Sequence, residues 1–201
     1  MTPDDFETTL VAAQAGADWA VAVLYRAHDP RLRRYLRAQE PAEHEDIAAD
    51  TWLAASRNLT TFTGTEDDFA GWLFTIARRR LSDHRRARRR RPADPAPAAA
   101  FAGLTSASAE AVALTGPLGD DDARRLVELL PPEQAEILLL RVVGGLDVER
   151  VAEITGRRPG TVRVIQHRAL QRLARELDRC NGSGEVSDGT PRDAQAPNPP
   201  R

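Results

Sequence analysis

Apolar residues recur every three to four positions along two stretches of the chain, and a third stretch between them lacks this period. Such spacing places the apolar side chains on one face of a helix, so each stretch predicts a small helical bundle. The first stretch predicts two or three short helices from Asp5 to Arg37, broken near Gly16 and Pro30, then a helix from Glu45 to Asn58, and one from an N-cap at Asp67 or Asp68 to about Arg90.

The second stretch predicts four helices within fewer than sixty residues. They are expected from Asp122 to Leu130, from Glu133 to Val143 after a Pro131-Pro132 start, from Val148 to Thr155, and from Pro159 to Leu177. Glycines at the breaks between these helices allow tight turns, so the four helices are expected to form one compact bundle.

The stretch at 92–118 is rich in Ala, Pro and Ser, a composition typical of a chain that buries too little surface to fold. The polar segment after Cys180 has the same character. The fold class is therefore predicted to be all-α, with two small helical domains joined by a flexible linker. The expected divisions are a first domain at 1–91, an acidic linker at 92–121, a second domain at 122–179 and a disordered tail at 180–201.

Several classes of protein find no support in this sequence. No apolar run has the length of a membrane span, and the acidic start MTPDDFETT lacks the features of a signal peptide, so the chain is expected in the cytoplasm without membrane insertion. The four histidines and the single cysteine form no cluster at ligand spacing, so no metal and no other cofactor is expected. No nucleophile with activating neighbours is evident, so we do not expect an enzyme.

Charge is sorted along the chain into blocks of opposite sign. Residues 1–77 contain 13 acids and 6 arginines, whereas residues 78–91 contain 9 arginines and 1 acid. Residues 92–123 contain 5 acids and no base, and residues 124–179 contain 11 arginines and 8 acids. All 28 basic residues are arginine, whose planar guanidinium suits bidentate contacts to phosphate and guanine. Each predicted domain is therefore expected to present a basic helix.

The last two predicted helices have the lengths and the short glycine-containing turn of a helix-turn-helix. Asp147 is the expected N-cap of the first of them, and Pro159 is the expected first residue of the second. On a helical wheel, one face of the second helix is apolar, and Gln166 on that face is expected to hydrogen-bond across the helix pair. The opposite face contains arginines and no acid, which predicts contacts with phosphates and with base edges in a major groove.

The helix at 45–58 predicts a second kind of surface. Its inward face is expected to hold Ile47, Thr51 and Ala54. The outward face would carry Asp46, Ala49, Asp50, Leu53 and Arg57. An outward leucine among carboxylates favours a partner-binding surface.

Two segments of the chain resemble one protein family, in the family's own order. We find a resemblance to the carboxy-terminal promoter-recognition domain of bacterial sigma factors in RRLVELLPPEQAEILLLRVVGGLDVERVAEITGRRPGTVRVIQHRALQRLARELD, most specifically in GTVRVIQHRALQRL. The amino-terminal domain of the same family has a polymerase-binding helix similar to EDIAADTWLAASRNL and a strand-separating helix similar to FAGWLFTIARRRLSDHRRARRRR. Without a third domain between them, this layout resembles the extracytoplasmic-function (ECF) group, with sigma region 2, a linker and sigma region 4.

The resemblance implies a subunit that binds core RNA polymerase, directs it to specific promoters and promotes DNA melting for transcription initiation. Its implied partners are the beta and beta-prime subunits of core RNA polymerase and promoter DNA, and the family allows an anti-sigma factor as a further partner. The second domain would bind the minus-thirty-five element. The arginine-rich helix of the first domain would engage the minus-ten element as it melts.

Candidate site residues follow from the helical faces and the resemblance together. For the minus-thirty-five element they are Thr161, Arg163, Val164, His167 and Arg168 for bases and nearby phosphates, with Arg172 and Arg175 for the DNA backbone. For the minus-ten element they are Phe62, Trp72, Arg78, Arg79, Asp83, Arg85, Arg86 and Arg89. Packing in the core is weighed above base contact for Trp72, and the loop at 62–68 is the better candidate for a base pocket. The candidates for binding core polymerase, through a coiled coil of its beta-prime subunit, are Asp46, Asp50 and Leu53.

The sequence departs from the family pattern at four positions, each of them a candidate site residue or close to one. Ala49 stands where the family commonly has Gln, and Arg79 stands where many members carry an Asn that helps to hold the flipped minus-ten base. Arg150 and Arg158 replace the usual Glu and Ser at capping positions of the helix pair. Both arginines are expected to add positive charge beside DNA.

Two other classes of protein share the helix-turn-helix. A regulator with a ligand-sensing or dimerising first domain would bind its operator alone, whereas a sigma factor needs core polymerase, so co-purification with that enzyme separates the two. A recombinase would need a nucleophile with activating neighbours, which neither domain supplies.

Overall fold

The computed structural model describes residues 2–90 and 120–182, and every regular element in these two ranges is helical. The first range contains α1 (Pro3–Gln14), α2 (Asp18–Gln39), α3 (His44–Asn58), a 3₁₀ turn (Leu59–Thr61) and α4 (Glu66–Arg90). The second contains α5 (Asp120–Leu129), α6 (Pro132–Leu138), a π-helical turn (Leu139–Val143), α7 (Val148–Thr155) and α8 (Pro159–Gly182). The all-α prediction is confirmed.

The linker and tail predicted from composition fall mostly outside the described residues. Of the linker expected at 92–121, only the last two residues are described, and they form the start of α5. At the other end, α8 continues to Gly182, into the segment expected to be tail. None of the helices in the described ranges has the length and apolar character that crossing a membrane would require.

The break predicted near Pro30 is wrong, because α2 runs through this residue without interruption. A proline inside a helix removes one backbone hydrogen bond and crowds the preceding turn. Here α2 buries Leu24 before the proline and Leu32, Tyr35 and Leu36 after it, so both halves are held by the same core. Tertiary packing thus outweighs the local cost of the proline.

The N-cap predicted at Asp67 or Asp68 is also displaced, since α4 begins at Glu66. The Oδ2 atom of Asp68 accepts hydrogen bonds from the backbone N of Thr65 at 2.7 Å and from its hydroxyl at 2.8 Å, and the Asp68 backbone N donates to the Thr65 hydroxyl at 3.2 Å. This reciprocal pair is a capping box, with Thr65 as N-cap and Asp68 three residues later. Gly64, at φ +142°, makes the turn before it, where a Cβ atom would lie 2.7 Å from that of Asp68.

A buried carboxylate positions α3 against α2. Asp29 accepts a hydrogen bond from the Nε of Arg33 at 2.6 Å and one from the indole Nε1 of Trp52, on α3, at 2.9 Å. The Trp52 ring also packs against Tyr25, with centroids 5.0 Å apart. Because a buried carboxylate needs such partners, these contacts fix how α3 is rotated about its own axis.

The second range contains the expected helix-turn-helix. Asp147 caps α7 by accepting a hydrogen bond from the backbone N of Arg150 at 2.7 Å, and Gly156, at φ +67°, ends the helix in the left-handed conformation. Pro159 is the first residue of α8, as predicted. The π-helical turn at Leu139–Val143 was not expected from the sequence, although its position lies within the helix predicted from Glu133 to Val143.

The two helical bundles pack against each other. Helix α5 lies along α2, α7 lies along α4, and the buried apolar residues of both bundles belong to one continuous cluster. At this interface Ala123 on α5 and Tyr35 on α2 are fully buried. The structure therefore describes a closed arrangement of the two bundles, which the sequence alone did not indicate.

Candidate nucleic-acid and polymerase interfaces

Helix α8 presents the face that the helical wheel predicts. Val162 and Ala169 are fully buried, and Leu173 is 7% exposed. The opposite face is exposed at every predicted position, namely Thr161, Arg163, Val164, His167, Arg168, Arg172 and Arg175. Since the exposed face contains no acid from Thr161 to Arg175, it can neutralise phosphates while its first turns approach bases.

Local contacts distinguish the residues of this face. Arg163 pairs with Glu149 of α7 at 2.8 Å, and the Nε of Arg172 donates to the carbonyl of Leu129 at 3.1 Å. The Nε2 atoms of His167 and Gln171 lie 2.9 Å apart. Arg168 is exposed and has no ion pair among the described residues, so its guanidinium is the most readily available of the three arginines named here.

Gln166 hydrogen-bonds across helices, as expected for a polar group on the packed face. Its Oε1 atom accepts a hydrogen bond from the Nε of Arg141, in the π-helical turn, at 3.3 Å. Arg141 also donates to the carbonyl of Leu146. Gln166 therefore helps to hold α8 in the bundle and is not part of the exposed face.

Helix α4 carries the second basic surface, along its carboxy-terminal half. Arg79, Asp83, Arg86 and Arg89 are exposed, and the only described ion pair among them joins Arg86 to Asp83 at 3.8 Å. A groove of about 1000 Å³ runs between this half of α4 and the α5–α6 region. Its walls include Arg78, Arg79, Arg85, Arg86 and Arg89 together with Glu133 and Glu136. This groove is cationic on the α4 side, as a path for a nucleic-acid strand requires.

Two of the predicted minus-ten arginines are held by residues outside α4. Arg85 donates to the backbone carbonyl of Gln39 at 3.0 Å and lies 3.6 Å from Glu40. The Nε of Arg78 donates a hydrogen bond to Oε1 of Glu136, on α6, at 2.7 Å, and this bond is the main reason that the pKa of Arg78 is raised. In the closed arrangement these two guanidinium groups are therefore less available than those of Arg79, Arg86 and Arg89.

The predicted aromatic residues lie in one cluster at the start of α4. Phe62 is buried, with its ring centroid 5.4 Å from that of Phe69 and 5.1 Å from that of Trp72. Trp72 packs on the edge of the core and is partly buried, so a base contact through its exposed part stays a prediction. Gln14 holds the neighbouring loop by donating to the carbonyls of Leu59 at 3.0 Å and Phe62 at 2.8 Å.

The loop at 62–68 lies beside a cleft of about 360 Å³. Phe62, Thr63, Asp68 and Trp72 line one side of this cleft, and Arg150, Glu153 and Ile154 of α7 line the other. A candidate base pocket is therefore present next to the loop, and in this structure the second bundle forms one of its walls.

Helix α3 turns its acidic face outward, as predicted. Ile47, Thr51 and Ala54 are buried, whereas Asp46, Ala49, Asp50, Leu53 and Arg57 are exposed. Leu53 is 54% exposed and shares this face with the exposed carboxylates of Asp46 and Asp50. An apolar side chain between exposed carboxylates is the arrangement expected of a surface that binds a basic partner helix.

Arg150 lies elsewhere than the sequence suggested. We expected it to add charge beside DNA, but its guanidinium pairs with Asp68 of the first bundle and with Glu153 at 2.8 Å. Arg158 does remain exposed, at the start of α8. The interdomain role of Arg150, Asp68 and Glu136 was missed because no local pattern reveals which residues of two separate bundles meet.

Family models match both bundles. The Sigma-70 region 2 model matches residues 24–91, and the Sigma-70 region 4 model matches residues 120–173. Among curated relatives, the ECF RNA polymerase sigma factor SigD of Mycobacterium tuberculosis is 34% identical over 188 residues, which are 88% of this chain and 86% of the relative. BldN of Streptomyces coelicolor, another ECF RNA polymerase sigma factor, is 34% identical over 82% of this chain, which spans 63% of the length of that relative.

Two solved structures have a similar fold. One is CnrH in complex with the cytosolic domain of CnrY, with a TM-score of 0.59. The match covers 86% of this chain and 96% of the CnrH chain, and its 21% sequence identity supports the fold alone. The other is the sigma factor RpoE from Bartonella quintana in complex with the anti-sigma factor NepR, with a TM-score of 0.58. That match covers 77% of this chain and 94% of the RpoE chain at 25% sequence identity. The two family models and the relatives show that this chain belongs to the ECF group of RNA polymerase sigma factors, which direct the polymerase to promoters for transcription initiation.

Proposed function

We propose that this sigma factor acts through three of its own surfaces: the exposed face of α8 on the minus-thirty-five element, the basic half of α4 on the minus-ten element, and the acidic face of α3 on core polymerase. The observation that carries this proposal is the exposed face of α8, where every side chain predicted to reach DNA is exposed and none is acidic. The chain would act as a non-catalytic subunit in the cytoplasm, where core polymerase and promoter DNA are found.

The proposed domain division follows the same surfaces. Region 2 would occupy residues 1–91 and region 4 residues 122–179, with most of the connecting segment and of the tail outside the described residues. An anti-sigma factor is proposed as a further partner, because one neighbour in structure is a sigma factor bound to an anti-sigma factor.

In vitro transcription with core RNA polymerase tests the overall function. The purified full chain should direct core enzyme to a defined set of transcripts from a genomic promoter library, and the chain without core enzyme should not select those promoters. Specific binding of an operator by the chain alone, without any transcript in the presence of core enzyme, would support a helix-turn-helix regulator instead.

Arg168→Ala should weaken promoter binding by the holoenzyme by about 1–3 kcal/mol if Arg168 reads a guanine in the major groove. The loss should be confined to promoters with one particular base pair in the minus-thirty-five element, and competition between promoter variants measures it. Arg172→Ala is the matched control, because a contact to the DNA backbone should lower affinity equally for all promoters. A uniform loss for Arg168→Ala would assign that residue to a phosphate.

Replacing Arg79, Arg86 and Arg89 together by Gln should reduce the salt dependence of open-complex formation. Each lost phosphate contact on a single strand lowers the slope of log affinity against log salt concentration by about 0.7, so three contacts predict a change of about 2. Filter-binding or fluorescence assays across a salt series measure the slope. Arg26→Gln, which removes one exposed arginine from α2, outside the three proposed surfaces, is the control and should leave the slope as it is.

A further inference from the structure

We infer that the turn between α2 and α3 is a clamp for the basic half of α4, with Glu40 and Glu43 as positioning residues for promoter melting. The clamp consists of these two acids and of His84, Arg85 and Arg88 on α4. This inference rests on the proposed function of α4 on the minus-ten element. It divides the arginines of α4 into those that hold the helix and those that are left to meet DNA.

The carboxy-terminal half of α4 needs such a support because it extends beyond the core. Leu81, which is 2% exposed, is the last buried residue in the described helix, and residues 82–90 bury no side chain. Tertiary packing supplies most of the stability of a helix in a protein, and this segment lacks it. Arginines four positions apart, such as Arg86 and Arg90, also repel one another. Without other contacts, residues 82–90 would fray.

Glu40 contacts two arginines of α4. Its Oε1 atom accepts a hydrogen bond from Nη1 of Arg88 at 2.6 Å, and its Oε2 atom lies 3.6 Å from Nε of Arg85. The side chain of Glu40 is only 12% exposed, so its carboxylate has lost most of its contact with water and needs these cationic partners. The negative charge of Glu40 is therefore directed at α4.

Arg85 also binds the end of α2. Its Nη2 atom donates to the backbone carbonyl of Gln39, the last residue of α2, at 3.0 Å. The last carbonyls of a helix have no partner within that helix and carry a partial negative charge, so a guanidinium group stabilises them. Glu40 and the carboxy terminus of α2 thus form one anionic surface against which Arg85 and Arg88 lie.

Glu43 adds a third contact to the clamp. Its Oε2 atom lies 3.1 Å from Nε2 of His84, within hydrogen-bond distance. Glu43 is the N-cap residue of α3, yet its side chain makes no capping hydrogen bond. The turn itself is held by His44, whose Nδ1 donates to the carbonyl of Pro41 at 2.9 Å and whose Nε2 accepts from the Nε of Arg37 at 3.2 Å. The residue that precedes the proposed polymerase-binding helix therefore also holds the proposed minus-ten helix.

The clamp residues of α4 share one side of that helix. At 3.6 residues per turn they lie within about 100° of one another, on the same side as the buried Leu81. The exposed Arg79 and Arg86 lie on the opposite side. Fixing one side of the helix fixes the direction in which the other side is presented. The clamp thus makes Arg85 a positioning residue, although the sequence placed it among the DNA contacts.

Hydrogen–deuterium exchange in the free, full-length chain tests the clamp. Glu40→Ala with Glu43→Ala should raise the amide exchange rate of residues 82–90 about tenfold or more, because their helix then opens locally. Residues 66–81 of the same helix are held by the core and should exchange as in the wild type. Unchanged exchange of residues 82–90 would overturn the clamp, and faster exchange throughout α4 would do so too, since it would indicate general destabilisation.

Glu7→Ala with Glu128→Ala is the matched control for the loss of two acids. Both glutamates are exposed on other helices, and Glu128 also pairs with an arginine, Arg124 at 3.7 Å. This variant has the same net charge as the clamp variant and should leave exchange in α4 unchanged. The exchange assay contains neither DNA nor polymerase, so its failure would leave the proposed function standing. Failure of the transcription assay with core enzyme would refute the proposed function without bearing on what holds α4.

Open-complex formation by the holoenzyme, at a promoter selected in the transcription assay, separates positioning from folding. Glu40→Ala should slow it about tenfold, while the affinity for core enzyme stays within about twofold because the exposed face of α3 is unchanged. Arg88→Ala should slow it less, and the double variant should be no slower than Glu40→Ala alone, since both changes break one contact. Losses that multiply in the double variant would assign Arg88 to DNA and overturn its role in the clamp. A loss of core affinity as large as the loss of rate would overturn the role of Glu40.

Discussion

Val162→Asp should unfold the second bundle, the largest loss of stability that we expect from a single substitution on α8. Val162 is 0% exposed and lies on the apolar face of that helix. An unpaired carboxylate at such a position costs at least several kcal/mol, either as a buried charge or through the protonation that avoids one. Since small domains are stable by only about 5–15 kcal/mol, much of the helical circular dichroism of α5–α8 should be lost.

Val164→Asp is the matched control, because the same substitution two residues later falls on the exposed face. Val164 is 49% exposed, so the change in unfolding free energy should be within about 0.5 kcal/mol. This variant should still lose promoter affinity, since it brings an acid close to phosphates. Urea denaturation followed by circular dichroism measures the change in unfolding free energy. A promoter-binding assay with the holoenzyme measures the loss of affinity. Equal stability of the two variants would mean that α8 is not oriented as described.

The local sequence was sufficient where one period dominates a helix. In α3 and α8 a helical period is clear despite Thr51 and Gln166 on the packed faces, so the wheel placed Leu53, Val164 and Arg168 on the exposed side, where the structure has them. The Asp147 cap and the Gly156 turn were also predictable, because their chemistry is contained within a few neighbouring residues.

The remaining features depend on contacts that are distant in sequence. The run through Pro30 is stabilised by residues of other helices that pack on both halves of α2. Likewise, the sequence identified Arg78 as a cation for DNA but could not identify Glu136, 58 positions later, as its partner in the closed state. Which residues of two bundles meet is decided by the shapes of both surfaces, and a helical period contains no such information.

The closed state gives α4 two competing uses. The same guanidinium of Arg78 that would approach a melted strand is bound by Glu136, while Arg79, Arg86 and Arg89 stay exposed. Initial electrostatic attraction to DNA would therefore not require opening, because the exposed arginines supply it. Arg78 itself is held by Glu136 of α6, and α7 forms one wall of the cleft beside Trp72, so both are partly occupied in this arrangement.

Asp50→Arg should weaken the binding of core RNA polymerase by about tenfold or more, and initiation at every promoter should fall with it. Asp50 is exposed on α3 beside Leu53, in the face proposed to bind the polymerase. Reversing its charge replaces an attraction to a basic partner by a repulsion, and the change should act mainly on the association rate. Titration of labelled sigma factor with core enzyme measures the affinity, and a salt series separates the electrostatic part.

Glu7→Arg provides the matched charge reversal, since Glu7 is an exposed acid on α1, away from the proposed surface. It changes the net charge by the same amount, so a general effect of charge would weaken both variants alike. Leu53→Ala should also lose affinity, but without a change in salt dependence, because it removes an apolar contact. If Asp50→Arg and Leu53→Ala both bound core enzyme as tightly as Glu7→Arg, α3 would not be the polymerase-binding helix, and the exposure of Leu53 would need another explanation.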